Sequence, residues 1–217
     1  MRVTVKVCGL TGEQDAALAA AAGADFLGFV FSPHSRRCLP VEACAWVREA
    51  RGASRVGVFL DQSESFVRRI GDEARLDAVQ LHGDEPPEMC FRLGGAGRVI
   101  KAIPVGERVD WSLVSEYAEV ARILFDTATP GGGGSGMRFD WRLLRAPRLA
   151  VSFWLAGGLT PGNVAEAVAA CRPSGVDVAS GVESAPGRKD PDKIRAFIDA
   201  VRSVPDQAAL RVTSAAT

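Results

Sequence analysis

Two side chains and two glycine-containing turns in this sequence could move protons or hold an anion, and they stand where apolar runs stop. Cys8 ends the run Val3 to Val7, and Asp126 ends Ala121 to Phe125. Glycine pairs or Ser-Gly follow two later runs, Gly157-Gly158 after Ala150 to Leu155 and Ser180-Gly181 after Val176 to Val178. A thiol and a carboxyl facing one another could supply the base and acid of an isomerisation. Glycine turns present backbone N–H groups that hold phosphate. Chemistry on a phosphorylated small molecule is the expectation, with Gly131 to Gly136 as a further backbone-rich loop.

Each residue also has a plainer reading. A lone cysteine at a strand end is commonly a small buried hydrophobe, and it works as a base near neutrality only where the site stabilises its thiolate. Asp126 is either paired with a basic residue or poised to exchange protons. Arg36-Arg37 is either a solvated doublet or a fork for a carboxylate. With only His34 as a second histidine and no H-x-H spacing, His82 reads as a packed or hydrogen-bonded rim residue, and no metal is expected. For Gly157, Gly158, Ser180 and Gly181, anion binding is favoured over a simple tight turn.

These groups share one mouth if the elements between them form a barrel. Eight strand-like runs are expected: Val3–Val7, Phe26–Phe31, Arg55–Leu60, Asp77–Leu81, Val99–Ile103, Ala121–Phe125, Ala150–Leu155 and Val176–Val178. Helical segments separate them: Asp15–Ala22 behind a Thr11/Gln14 capping box, Pro40–Ala50, Ser63–Ala74, Pro86–Leu93, Trp111–Tyr117, a brief one after Trp141 to Leu144, a helix capped by Thr160, and Pro191–Val201. Runs without strict alternation suit strands buried on both faces, so the pattern predicts an α/β protein, a single-domain (β/α)8 TIM barrel. A doubly wound sheet is disfavoured because no G-x-G-x-x-G follows the first strand. Gly131 to Gly136 is not a P-loop, since Met137 stands where lysine is required.

The expected barrel spans residues 1–204, with 205–217 as a flexible tail. At 217 residues and 47% hydrophobic content the chain can bury a sizeable core. Lys+Arg and Asp+Glu balance at 26 each, so neither nucleic acid nor a membrane surface is an expected partner. Five scattered cysteines without C-x-x-C spacing suit reduced thiols rather than a disulfide scaffold. No apolar segment approaches the roughly 20 residues that span a bilayer. A cytoplasmic protein is expected, as a monomer rather than a homodimer.

The residues resemble one family closely, the phosphoribosylanthranilate isomerases of tryptophan biosynthesis. The matching motifs are Val5-Lys6-Val7-Cys8-Gly9, Pro33-x-Ser35-x-Arg37, Val56-Gly57-Val58-Phe59, Gln80-Leu81-His82-Gly83 and Leu124-Phe125-Asp126. Further along stand Gly133-Gly134-Ser135-Gly136 with Phe139-Asp140-Trp141, Leu155-Ala156-Gly157-Gly158-Leu159 with Asn163-Val164, and Asp177 to Glu183 with Gly187 and Lys189-Asp190. The resemblance implies a metal-free, cofactor-free Amadori rearrangement of N-(5-phosphoribosyl)anthranilate, with Asp126 as general acid and Cys8 as general base. It implies that Arg37 holds the anthranilate carboxylate, that Gly157, Gly158, Ser180 and Gly181 hold the phosphate, and that Gly134, Ser135 and Gly136 help enclose the substrate. Ser135 stands where the family more often has threonine, and residues 129–132 are unusually glycine-rich for it. Two other readings are a histidine-pathway sugar isomerase, whose resemblance implies aspartate at position 8, and a silent phosphate-binding regulator. Intact Cys8 and Asp126 speak against both.

Overall fold

Short runs rich in valine, isoleucine and phenylalanine favour extended backbone, and each is too brief to bury itself without neighbours on both edges. The computed structural model, which describes residues 2–128, 138–145 and 151–205, answers this by closing eight parallel strands into a barrel. They are β1 Thr4–Cys8, β2 Phe26–Val30, β3 Ser54–Phe59, β4 Ala78–Leu81, β5 Val99–Val105, β6 Arg122–Thr127, β7 Phe153–Leu155 and β8 Gly175–Val178. Each pairs with the next, and β8 returns to β1 with Lys6 opposite Asp177. The predicted (β/α)8 architecture is the observed one.

Around the barrel run α1 Glu13–Ala21, α2 Cys44–Val47, α3 Glu64–Glu73, α4 Pro87–Arg92, α5 Trp111–Tyr117, α6 Val164–Cys171 and α7 Pro191–Arg202. Between β6 and β7 a 3-10 helix, Trp141–Arg145, is the described helical element. Side-chain caps begin three helices: Ser63 Oγ accepts from Phe66 N, Asp110 from Leu113 N, and Asp190 from both Asp192 N and Lys193 N.

Local signals misled at several ends. Thr11 caps nothing: its hydroxyl donates to Gly187 O at 2.6 Å, and Gly12 precedes α1 with no side-chain cap. The run from Pro40 is split into a 3-10 turn, Val41–Ala43, and the short α2. Thr160 does not cap α6 either; it is Asn163 that precedes this helix, turning its side chain back to accept from Thr160 N and donate to Gly158 O. An unexpected hairpin, β9 Glu183–Ala185 and β10 Arg188–Lys189, stands between β8 and α7.

Most of the core lies between strands and helices. Inside the barrel, Val56, Ala78, Ile100, Ala102, Leu124, Trp154 and Ala156 form a second apolar cluster, and Cys8, Val30 and Val58 a third. Because strand side chains alternate, Lys6 and Gln80 share the faces of Cys8 and His82, two residues back along β1 and β4. No described helix is long and apolar enough to cross a membrane. Among the described residues no disulfide joins any of the five cysteines. Gly134, Ser135 and Gly136 lie outside the described residues, as does the expected tail beyond Pro205.

Candidate active site

One cavity of about 830 Å³ opens at the C-terminal ends of the strands, where catalytic groups of such barrels sit. Cys8, Arg36, Arg37, His82, Asp126, Gly157, Gly158, Ser180 and Gly181 all line it. Every candidate residue within the described part of the chain therefore converges on a single space.

Cys8 ends β1 with only 7% of its surface exposed. Burial pushes its thiol above the ordinary range; the Lys6 ammonium pulls against this and Asp177 adds to it. Burial thus works against the thiolate that a base near neutrality requires. The cation beside it is Lys6, fully buried, with Nζ 2.8 Å from Gln80 Oε1 and 2.7 Å from Asp177 Oδ2. Burial acts to lower the Lys6 ammonium, but Asp177 and Cys8 outweigh it and hold it above its usual value. Asp177 leaves its other oxygen, Oδ1, buried and unpartnered.

Asp126, near the end of β6, is fixed on two sides. Oδ1 accepts from Thr127 N at 2.8 Å, and Oδ2 lies 3.4 Å from His82 Nε2. His82 lines the cavity as a hydrogen-bonded residue, its Nδ1 3.1 Å from Gln80 Nε2, and it also stands beside Asp126. The turn that carries it is anchored from below. Glu85 accepts from Gly83 N at 3.0 Å and from Lys101 Nζ at 2.8 Å, and its carbonyl accepts from the Tyr117 hydroxyl at 2.7 Å.

Arg37 already forks onto a carboxylate of the chain itself. Its Nε and Nη2 donate to Glu183 Oε1 and Oε2 at 2.6 and 2.7 Å, and Lys189 Nζ donates to the same Oε1 at 3.0 Å. The β2–α2 loop is thereby tied to the hairpin after β8. Burial alone would raise the Glu183 carboxyl, but Arg37 and Lys189 outweigh it and hold it low. A depressed native pKa means stability that is present above the unfolded glutamate value of about 4.3 and lost as pH falls through the native one. Melting temperature is therefore expected to drop as pH is lowered below about 4.3, with part of that drop missing in Glu183→Gln. Identical acid limbs in the two proteins would refute the linkage.

The glycine turns form the far wall. Gly157 and Gly158 have φ of +84° and +64°, and their N–H groups have no backbone acceptor among the described residues. Ser180 and Gly181 open a 3-10 turn, Ser180–Val182, whose first N–H groups have no partner within the turn. At Gly181 any side chain is excluded, since a Cβ would lie 1.9 Å from Leu159 O. That close approach brings the two turns together as one cradle. Among the described residues, no group of three or more His, Cys, Asp or Glu is arranged to hold a metal ion.

Lys6, Gln80, Asp177, Glu183 and Lys189 stood in the matching motifs, but the sequence reading gave them no role. A charged or amide side chain inside a run that must be buried was the available signal for the three on barrel strands, Lys6, Gln80 and Asp177.

Comparison with known proteins adds relatives of the same geometry. The family model described as N-(5'phosphoribosyl)anthranilate (PRA) isomerase matches residues 5–200. The N-(5'-phosphoribosyl)anthranilate isomerase of Myxococcus xanthus is 46% identical over 210 residues, covering 94% of this chain and 98% of its own. A structure of monomers of the dimeric phosphoribosylanthranilate isomerase from Thermotoga maritima superposes with a TM-score of 0.83 at 37% identity, covering 93% of this chain and 99% of that one. Another phosphoribosylanthranilate isomerase, solved with reduced 1-(o-carboxyphenylamino)-1-deoxyribulose 5-phosphate, gives 0.82 at 38% identity over 92% and 98% of the two chains. With a family match across nearly the whole barrel and relatives this similar end to end, the chain belongs to the N-(5'-phosphoribosyl)anthranilate isomerase family.

Proposed function

We propose that this chain converts N-(5-phosphoribosyl)anthranilate into 1-(2-carboxyphenylamino)-1-deoxyribulose 5-phosphate in tryptophan biosynthesis, by general acid and base catalysis at the strand ends. The observation that carries the reading is the shared cavity, where a thiol, a carboxyl and two glycine turns surround one space in a chain of this family. Asp126 protonates the furanose ring oxygen, and the anilino nitrogen lone pair expels it, leaving an open-chain protonated Schiff base. Cys8 removes the C2 proton, and its electron pair neutralises the iminium to give an enolamine. The enolamine then gains a proton at C1 and loses one from the C2 hydroxyl, which yields the ketone. Cys8 gives its thiol proton to solvent before it acts and regains one from C2, while Asp126 takes one back from solvent, so the proton count closes over each turnover.

The raised thiol fits this order of events. Ring opening places a positive iminium next to the C2–H bond, and that charge, with Lys6, favours the thiolate just when a base is needed. Phosphate rests on the N–H groups at Gly157, Gly158, Ser180 and Gly181. Arg37 meets the anthranilate carboxylate with the guanidinium N–H groups that Glu183 leaves free. The enzyme works without metal or cofactor, as a monomer in the cytoplasm; the Thermotoga maritima relative is described as monomers of a dimeric enzyme, and gel filtration of this chain decides between the two states.

A fluorescence assay of the purified protein on N-(5-phosphoribosyl)anthranilate is expected to give turnover, and the gene is expected to rescue a tryptophan auxotroph lacking this isomerase. Absence of both would end the reading. Arg37→Ala is expected to raise KM by about tenfold or more, the worth of a charge-assisted pair, with a smaller effect on kcat. An unchanged KM would move the carboxylate contact to Arg36 or elsewhere.

A further inference from the structure

We propose that His82 is locked as its Nε2–H tautomer by Lys6 acting through Gln80, so that it positions Asp126 yet cannot take the proton Asp126 must deliver. The inference rests on Asp126 being the acid and adds two positioning residues, Lys6 and Gln80, to the machinery.

The lock follows from what each group is able to donate. An ammonium has donors only, so the Gln80 atom 2.8 Å from Lys6 Nζ is the amide oxygen. That choice turns the amide NH₂ toward His82 Nδ1 at 3.1 Å. An NH₂ group only donates, so Nδ1 must be the bare, accepting nitrogen. A neutral imidazole then carries its one hydrogen on Nε2, the nitrogen 3.4 Å from Asp126 Oδ2. Flipping the amide would set its NH₂ against the ammonium, and protonating Nδ1 would set N–H against NH₂. Lys6 is itself pinned by Asp177 at 2.7 Å, on the strand that closes the barrel. Polarity is therefore passed from a buried ion pair, through one amide, to the histidine beside the acid.

Its use lies in the relative basicity of the two groups. Imidazole is ordinarily a stronger base than a carboxylate, so a histidine with a bare Nε2 beside a carboxylic acid would take its proton. Here that nitrogen is already protonated and the other one faces a donor. The Asp126 proton then has one useful exit, toward the ring oxygen in the cavity. With Thr127 N on Oδ1 and His82 near Oδ2, the carboxyl is also held in one orientation.

Nitrogen-15 NMR of the tag-free enzyme at neutral pH reads the lock directly. The chain has two histidines, His34 and His82, and loss of signal in His82→Asn assigns the second. The expected spectrum is a neutral His82 carrying its proton on Nε2. In Gln80→Glu a carboxylate oxygen faces Nδ1, so that nitrogen is expected to become protonated, and kcat to fall about tenfold or more with KM within about threefold. Gln80→Met, similar in volume but unable to donate, is expected to give a mixture of tautomers. A wild-type His82 protonated at Nδ1, or full turnover in a Gln80→Glu enzyme whose tautomer has changed, would overturn the proposal. Failure of the underlying reading looks different: Asp126→Asn would keep its turnover while the wild-type His82 spectrum stayed as expected.

Discussion

Asp126→Asn is expected to lower kcat by about 10²-fold or more, roughly 2.7 kcal/mol of barrier, while KM stays within about threefold. Asparagine keeps the shape of the side chain and can still accept from Thr127 N. It has no proton to give to the ring oxygen. Because the lost interaction develops as the ring opens, the cost falls on kcat and on kcat/KM together. In the proposed binding mode the phosphate and carboxylate are held by other residues of the cavity, so ground-state affinity is expected to be spared. Steady-state fluorescence kinetics measure both constants, and near-normal turnover would remove Asp126 from its role.

The second large effect is expected at the opposite wall. Cys8→Ala deletes the only group proposed to take the C2 proton, and kcat is again expected to fall by about 10²-fold or more. Cys8→Ser is expected to be almost as poor, since a hydroxyl is a far weaker acid than a thiol and does not furnish the basic form. Burial raises the Cys8 thiol, so its thiolate fraction in the empty enzyme grows with pH, about tenfold per unit below the pKa. Alkylation of Cys8 should accordingly accelerate through the alkaline range with no plateau near neutrality. A plateau there would mean a resting thiolate, and unimpaired turnover of Cys8→Ala would assign the base to another residue.

The barrel was readable because eight short apolar runs, each ended by a polar or glycine signal, leave few other ways to bury both faces of every strand. Cys8, Asp126 and the glycine turns were readable for the same reason: position at a strand end determines which rim a residue joins. What sequence could not supply was partnership across the barrel. Lys6 meets Asp177 and Gln80 because β1 lies beside β8 and Gln80 points inward from β4, separations of 171 and 74 residues. Arg37 was read as part of a solvated doublet or as a fork for a carboxylate, and the carboxylate it forks onto within the chain, Glu183, comes from a hairpin that has no apolar pattern to announce it. For His82 the sequence suggested a hydrogen-bonded rim residue but not its neighbour, since a count of histidines speaks to metal binding and says nothing of a nearby carboxylate. Helix starts failed where a side chain found a better acceptor far away, as Thr11 did on Gly187.

Joining the earliest strand to the latest has a consequence for synthesis on the ribosome. Lys6 is made 171 residues before its counter-ion at Asp177. Until then a nascent chain carries an unpaired lysine on β1 and a sheet with two raw edges. Products truncated before β8 should therefore be inert and prone to aggregate, since the barrel closes only once β8 has left the exit tunnel.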